Sequence, residues 1–269
     1  MKVFIVSDLE GVSGITKEGQ TEGGAPMYEE SRRLYTEEIN AAVRGAKAAG
    51  ASEIVVMDCH GAGKEWDFNS LIPELLEEAC DFVVQDEWTE YTAFLESGVD
   101  AALFVGMHAM AGTRHGVMNH TVSGQAWQNL WFNGVLVGET GINAALCGTW
   151  GCPVLMVTGD DAACDEACEL LGQSLVTVAV KRGFGAQSAR NIAPLRARGM
   201  IEEGARRALA SLSAVDPYLP GSPCEIQVEY KNTRAPDVLR HRQGVERVSD
   251  RMIVSRAETW WDAWRQFFF

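Results

Sequence analysis

The stretch Val3-Phe4-Ile5-Val6-Ser7-Asp8-Leu9-Glu10-Gly11 decides how the rest of the chain is read. Four apolar residues in unbroken succession suit a strand buried on both faces, as in a parallel sheet covered by helices on each side. Two carboxylates follow at the carboxyl end of that strand, where open α/β sheets bind ligands. Side chains two apart share a face of an extended chain, so Asp8 and Glu10 are expected to point the same way.

Outward from this stretch the pattern repeats. Leu34, Ile39, Ala42, Val43 and Ala46 recur at helical spacing between Met27 and Ala49, with Gly50 placed as a C-cap, and Ile54 to Met57 reads as a second strand. Ser70 is expected to cap a helix turning Leu71, Ile72, Leu75 and Leu76 inward. The strand Phe82-Val83-Val84 and a helix through Trp88, Tyr91 and Leu95 follow, then the strand Ala101 to Val105 and a polar loop from Gly106 to Gly116. Asn133-Gly134 between Leu130-Trp131-Phe132 and Val135-Leu136-Val137 is a hairpin signal.

Glu139 opens a small-residue helix, Val154 to Val157 and Leu175 to Val180 read as strands, and a basic helix is expected around Arg190 to Leu212. After the loop Asp216 to Pro223 the tail reads as strand, helix, strand, helix. The expected architecture is three-layer α/β/α with a largely parallel sheet, an inserted hairpin and a smaller C-terminal α+β part. Residues 1–186 form the α/β metal-binding unit in this reading, and residues 187–269 the C-terminal subdomain.

Composition narrows the function classes. The 269 residues are 46% hydrophobic and 22% charged, which is ordinary for a globular chain and argues against disorder. With 23 Lys+Arg against 37 Asp+Glu the formal net charge is −14, unsuited to displacing counterions from nucleic-acid phosphates. The richest basic stretch, Lys181 to Arg207, reads as a solvated helix face. No apolar run approaches the length of about 18 residues that a membrane span needs, and the opening is too acidic for a signal peptide, so an intracellular protein is expected. Seven cysteines, an odd number without short-loop framework spacing, fit a reducing compartment.

The chemistry concentrates in acids and imidazoles. His60 follows the second strand, His108 follows a later one, and His115 and His120 lie in the glycine-flanked loop beyond it. Two carboxylates held close repel each other, and a divalent cation is one way to keep both ionised. Neutral imidazoles from other strand ends complete a mixed nitrogen and oxygen donor set that suits zinc better than magnesium. Either His115 or His120 is then placed to serve as general acid/base or nucleophile.

Several blocks in order, Val6-Ser7-Asp8-Leu9-Glu10-Gly11-Val12-Ser13-Gly14, Asp58-Cys59-His60, Gly106-Met107-His108, Gly116 to His120, Val137 to Asn143 and Pro153 to Asp161, resemble the signature of the DppA-type D-aminopeptidases. The resemblance runs from residue 6 to about 161, and the C-terminal third matches only in general pattern. It implies a zinc metallopeptidase with two Zn²⁺ per subunit. Asp8 would bridge the ions, Glu10, His60, His108 and Glu139 would be the other ligands, and His120 the catalytic histidine. His115 is then a plain loop residue. The implied substrates are short peptides with an N-terminal D-amino acid, of the D-Ala-D-Ala type, and the implied assembly is a homodecamer; composition and hydropathy add the expectation of a cytoplasmic protein without nucleic-acid or membrane partners.

Two other readings compete. An apolar strand followed by Asp8-Leu9-Glu10-Gly11, with Gly159-Asp160-Asp161 and Asp165 downstream, is similar to a magnesium-dependent haloacid dehalogenase-like phosphohydrolase in which Asp8 is phosphorylated. That leaves His60, His108, His120 and Glu139 without a part. A non-catalytic peptide-binding protein would use the same crevice with no activating metal. The C-terminal aromatics Trp260, Trp261, Trp264, Phe267, Phe268 and Phe269 are too apolar to stay free, and are expected to pack on their own domain or on a neighbour.

Overall fold

The computed structural model describes residues 1–85 and 91–267. In chain order they form β1 (Lys2–Ser7), α1 (Tyr28–Ala48), β2 (Glu53–Asp58), β3 (Asp81–Val83), α2 (Ala93–Glu96), β4 (Ala101–Met107), β5 (Trp127–Phe132), β6 (Val135–Leu136), α3 (Glu139–Thr149) and β7 (Val154–Asp160). There follow α4 (Asp161–Leu171), β8 (Val176–Gly185), β9 (Ser188–Asn191), α5 (Pro194–Ala208), β10 (Cys224–Tyr230), α6 (Arg234–Leu239), β11 (Val245–Arg247), β12 (Met252–Ala257) and α7 (Trp260–Arg265). Trp88, Phe268 and Phe269 lie outside the described residues.

The first sheet has the order β3-β2-β1-β4-β7-β8-β9, parallel throughout except for the β8–β9 pair. Its middle strands are apolar and buried because helices cover both faces, as the run Val3 to Val6 requires. From β1 the chain winds one way through β2 to β3 and the other way through β4 and β7 to β8. Right-handed crossovers therefore put α1 on the opposite face from α3 and α4, and α5 packs along α1. The reversal of winding falls between β1 and β4, which leaves a crevice at their carboxyl ends. Asp8, Glu10 and His108 leave the sheet there.

The second sheet is antiparallel, in the order β11-β12-β10-β5-β6. Asn133 (φ 47°) and Gly134 (φ 81°) turn the β5–β6 hairpin, as their dipeptide signal predicts. This hairpin pairs with β10, so the second sheet draws strands from both sides of residue 187, while β9 and α5 belong to the first sheet and its helical layer. The 186/187 boundary thus does not coincide with a division between the sheets. Among the described aromatics of the tail, Trp260, Trp264 and Phe267 are buried against the molecule's own second sheet, with Phe132 5.7 Å from Trp260 and Trp127 6.4 Å from Trp264 between ring centres.

Of the helix expected through Trp88, Tyr91 and Leu95, the described residues form only Ala93–Glu96, with Tyr91 before it. Two further local expectations fail. The segment after Ser70 makes only a 3-10 turn, Pro73–Leu75, because the buried Asp58 carboxylate accepts the Ser70 and Leu71 N–H groups and fixes the chain there. The Lys181–Arg207 stretch is not one helix face either. Lys181 is buried on β8, and only the portion from Pro194 onward is helical. Among the described residues no helix is long and apolar enough to cross a membrane.

Candidate metal centre and active site

Five side chains from four elements or their exits converge at the crevice. Asp8 and Glu10 follow β1, His60 follows β2, His108 follows β4, and Glu139 opens α3. The β1 exit is forced close to β4. A Cβ on Gly11 would stand 2.0 Å from the Met107 carbonyl oxygen, and one on Gly106, at φ +78°, would stand 2.0 Å from the Asp8 carbonyl oxygen. Only glycine allows this approach of two backbones.

Asp8 lies at the middle of the group. Its Oδ1 is 3.3 Å from His60 Nδ1, and its Oδ2 is 3.3 Å from His108 Nε2. Glu10 Oε2 lies 3.0 Å from His60 Nδ1, while Glu139 Oε1 lies 3.3 Å from His108 Nε2 and 3.7 Å from His120 Nε2. Donor atoms of Asp8, Glu10 and His108 form one cluster, and those of His108, His120 and Glu139 a second, each compact enough for a metal ion.

The backbone decides which ring nitrogen faces inward. His60 Nε2 donates to the Thr21 carbonyl (2.9 Å), His108 Nδ1 to Ala109 (3.0 Å) and His120 Nδ1 to Met118 (2.8 Å). A carbonyl only accepts, so each neutral imidazole turns its remaining lone pair toward carboxylate oxygens. Acceptor then faces acceptor unless a cation lies between them. Glu10 Oε2 and His108 Nε2 are moreover buried without a hydrogen-bond partner among the described residues, which is costly in a protein interior. A metal ion would satisfy both atoms, and imidazoles whose outer N–H is fixed by carbonyls are the usual form of histidine ligands. The residues present therefore fit a zinc site.

Electrostatics show the same demand for positive charge. Burial, then the neighbouring Glu10, pushes Asp8 up to about 7. Burial opposes ionisation of Glu10 too, but the adjacent His60 overrides it and holds that carboxyl well below its ordinary range. Glu139 is held at about 2, burial being outweighed by His108. His60 and His108 lie well above the usual imidazole value in spite of burial, the first because of Glu10 and the second because of Glu139. His120 is lowered by burial and by His108 beside it.

Access is one-sided. The side chains of Asp8, Glu10, His60 and His108 are 1–6% exposed, whereas Glu139 is 16% and His120 23% exposed. His115, which residue type alone offered as an alternative to His120, sits exposed on the outside of the loop at φ 66°. The acidic run of the phosphohydrolase reading is engaged elsewhere. Asp160 caps α4 through the Ala163 N–H, Asp161 accepts from Gly183 N, and Asp165 is exposed.

Several supporting groups escape sequence reading. Thr21 orients His60 only through its carbonyl, which no residue type announces. Asp58 Oδ1 accepts from the His60 N–H (3.0 Å) and from the Tyr35 hydroxyl (2.8 Å), and its position two before a strand-end histidine was the available signal. Glu166 Oε2 accepts from Met110 N at 2.7 Å, just beyond His108.

Comparison with known proteins shows the family and the fold. A family model described as D-aminopeptidase matches residues 1–269. A D-aminopeptidase of Bacillus subtilis is 32% identical over 233 residues, covering 86% of this chain and 82% of the relative. The solved structure of a Zn-dependent D-aminopeptidase DppA from Bacillus subtilis, described as a self-compartmentalizing protease, superposes with a TM-score of 0.90 at 29% identity. The match covers 99% of this chain and 95% of that one.

Proposed function

Because this chain belongs to the D-aminopeptidase family, we propose that Asp8, Glu10, His60, His108 and Glu139 hold two Zn²⁺ per subunit and that His120 is the proton carrier. The chain is a zinc-dependent metallo-aminopeptidase acting on peptides that contain D-amino acids. The observation that carries the site assignment is the Asp8 carboxylate, whose two oxygens face different histidines. Such a carboxylate suits a bridge between two ions.

Zinc bound by these donors supplies Lewis acidity toward a carbonyl and lowers the pKa of water toward 7. The protein's own groups do the rest. Thr21, Ala109 and Met118 fix the three rings through their carbonyls, so His60 Nδ1 and the Nε2 atoms of His108 and His120 are aimed before substrate arrives. Glu139 Oε1 accepts the Val122 N–H at 2.7 Å, which holds this carboxylate, the most open of the three, against His108 and His120. The His120 side chain, more exposed than those of the five proposed ligands, would accept the proton released by the attacking water on its free Nε2 lone pair and pass it to the leaving amine.

The reading extends to a closed homo-oligomer by analogy with the self-compartmentalizing relative, and, as the sequence resemblance implies, to a decamer and to short D-Ala-D-Ala-type peptides. It places the enzyme in the cytoplasm, where its seven cysteines stay reduced. Turnover of matched D- and L-dipeptides, before and after chelation, tests it. Hydrolysis of the D-series that a chelator abolishes and zinc restores is expected; chelator-resistant turnover, or none on any D-peptide, would refute it.

A further inference from the structure

One cross-strand pair flanks the crevice without lending it a proposed ligand. Asp160, the last residue of β7, stands opposite Lys181 of β8, and the register shifts between Gly159 and Asp160. A shift of this kind re-aims the side chains beyond it. Here it breaks the alternation of β8, so that Val180 and Lys181 are both buried, at 0% and 2% exposure.

The two side chains reach different loops. Lys181 Nζ donates to the carbonyl of Glu10, to that of Val12 (2.9 Å) and to that of Ile15 (2.6 Å). Three carbonyls saturate the three N–H bonds of an ammonium. The segment they hold begins with a proposed ligand, Glu10. It continues through Gln20, whose amide accepts from Thr16 N and donates to the Gly14 carbonyl, to Thr21, whose own carbonyl orients His60. Asp160 Oδ2 accepts from Val117 N at 2.5 Å, while its Oδ1 takes the Ala163 N–H. Val117 lies in the loop that presents His120, and Met118 N ties the same loop to the Ala186 carbonyl (2.7 Å).

We infer that Asp160 and Lys181 are a pair of positioning residues. Lys181 fixes the segment that carries Glu10 and aims His60, Asp160 fixes the loop that carries His120, and their register on adjacent strands sets the proton carrier against the metal donors. The inference rests on the metal site proposed above. Its chemistry is unusual for a plain brace: among the described residues the buried ammonium bonds to carbonyls and forms no ion pair, although burial, which lowers its pKa, is countered by the nearby Asp160, Glu38 and Glu10. Holding a backbone segment by carbonyls alone leaves the carboxylate of Glu10 free for another cation.

The test uses the full chain with Co²⁺ and Zn²⁺ as probes. Lys181→Met should keep its secondary structure but bind zinc about tenfold or more weakly in chelator competition, with an altered Co²⁺ absorption spectrum. Asp160→Asn should bind zinc like the parent, with kcat reduced about tenfold or more and KM little changed. A merely structural pair would lower the melting temperature in both variants without this split. If Lys181→Met does not fold, Lys181→Gln, which keeps two N–H donors but no charge, takes its place in the same assays. A folded Lys181 variant with parental zinc affinity and Co²⁺ spectrum, or Asp160→Asn with parental kcat, overturns the pair alone; a parent protein that takes up neither metal overturns the metal site and the pair with it.

Discussion

The rings of His108 and His120 stack face to face, with centres 4.0 Å apart and planes 17° from parallel. Both turn Nε2 toward Glu139 Oε1, yet only His120 is reachable from outside. The stack separates two roles within one contact. His120→Ala should retain the zinc of the parent and lose activity by about 10²–10⁴-fold, the usual worth of a positioned general acid/base. Metal content and kcat measured on one preparation check this, and loss of a zinc ion would make His120 a ligand.

The two halves of the centre are unequally shared. Asp8 faces both His60 and His108, whereas His60 Nδ1 lies against the Asp8 and Glu10 carboxylates and, among the described residues, forms no ion pair with Glu139. Elemental analysis should find about one zinc per chain in His60→Ala and essentially none in Asp8→Ala. Equal occupancy in the two variants would contradict a bridging Asp8.

Glu38 offers a pH-dependent prediction away from the proposed ligands. Buried on α1, it accepts from Ser13 N through Oε1, its Oε2 has no partner among the described residues, and burial pushes the carboxyl up to about 7 from 4.5. A folded-state pKa above the unfolded one means that the native state binds the extra proton. Its stabilising contribution is complete below about 4.5 and is lost as pH rises through about 7. Glu38→Gln should therefore match the parent at about pH 4.5 and exceed it by roughly 3 kcal/mol at about pH 8.5. Urea unfolding of both proteins at the two pH values checks the sign and the size.

Gly106 cannot accept a side chain. At φ +78°, with a Cβ falling 2.0 Å from the Asp8 carbonyl oxygen, Gly106→Ala must move the β1 exit. The expected cost is about 3 kcal/mol or more, with zinc content falling because Asp8 is carried on the displaced segment. An alanine variant with parental stability and zinc would show that the two backbones can separate without harm.

How much of this was legible in the sequence follows from where the information resides. The run Val3 to Val6, the helical spacing of Leu34 to Ala46 and the Asn133-Gly134 turn each have a local cause, and each forms as read. The carboxylates and histidines at strand ends were legible because the sheet itself sends them to one crevice. Ser70 was misread because its backbone N–H is taken by Asp58, a contact twelve residues away that local capping rules do not contain. Lys181 was misread because a register shift, invisible in residue types, turns it inward and gives it carbonyls of a segment about 170 residues earlier. Thr21 and Met118 act through backbone oxygens, which every residue carries.

The central claim is that five scattered side chains surround two zinc ions. It is tested most directly by anomalous diffraction at the zinc edge from crystals of the zinc-loaded protein. The account predicts two peaks in each subunit, one among Asp8, Glu10 and His60 and the other among Asp8, His108 and Glu139. A single peak, or peaks remote from Asp8, would contradict it.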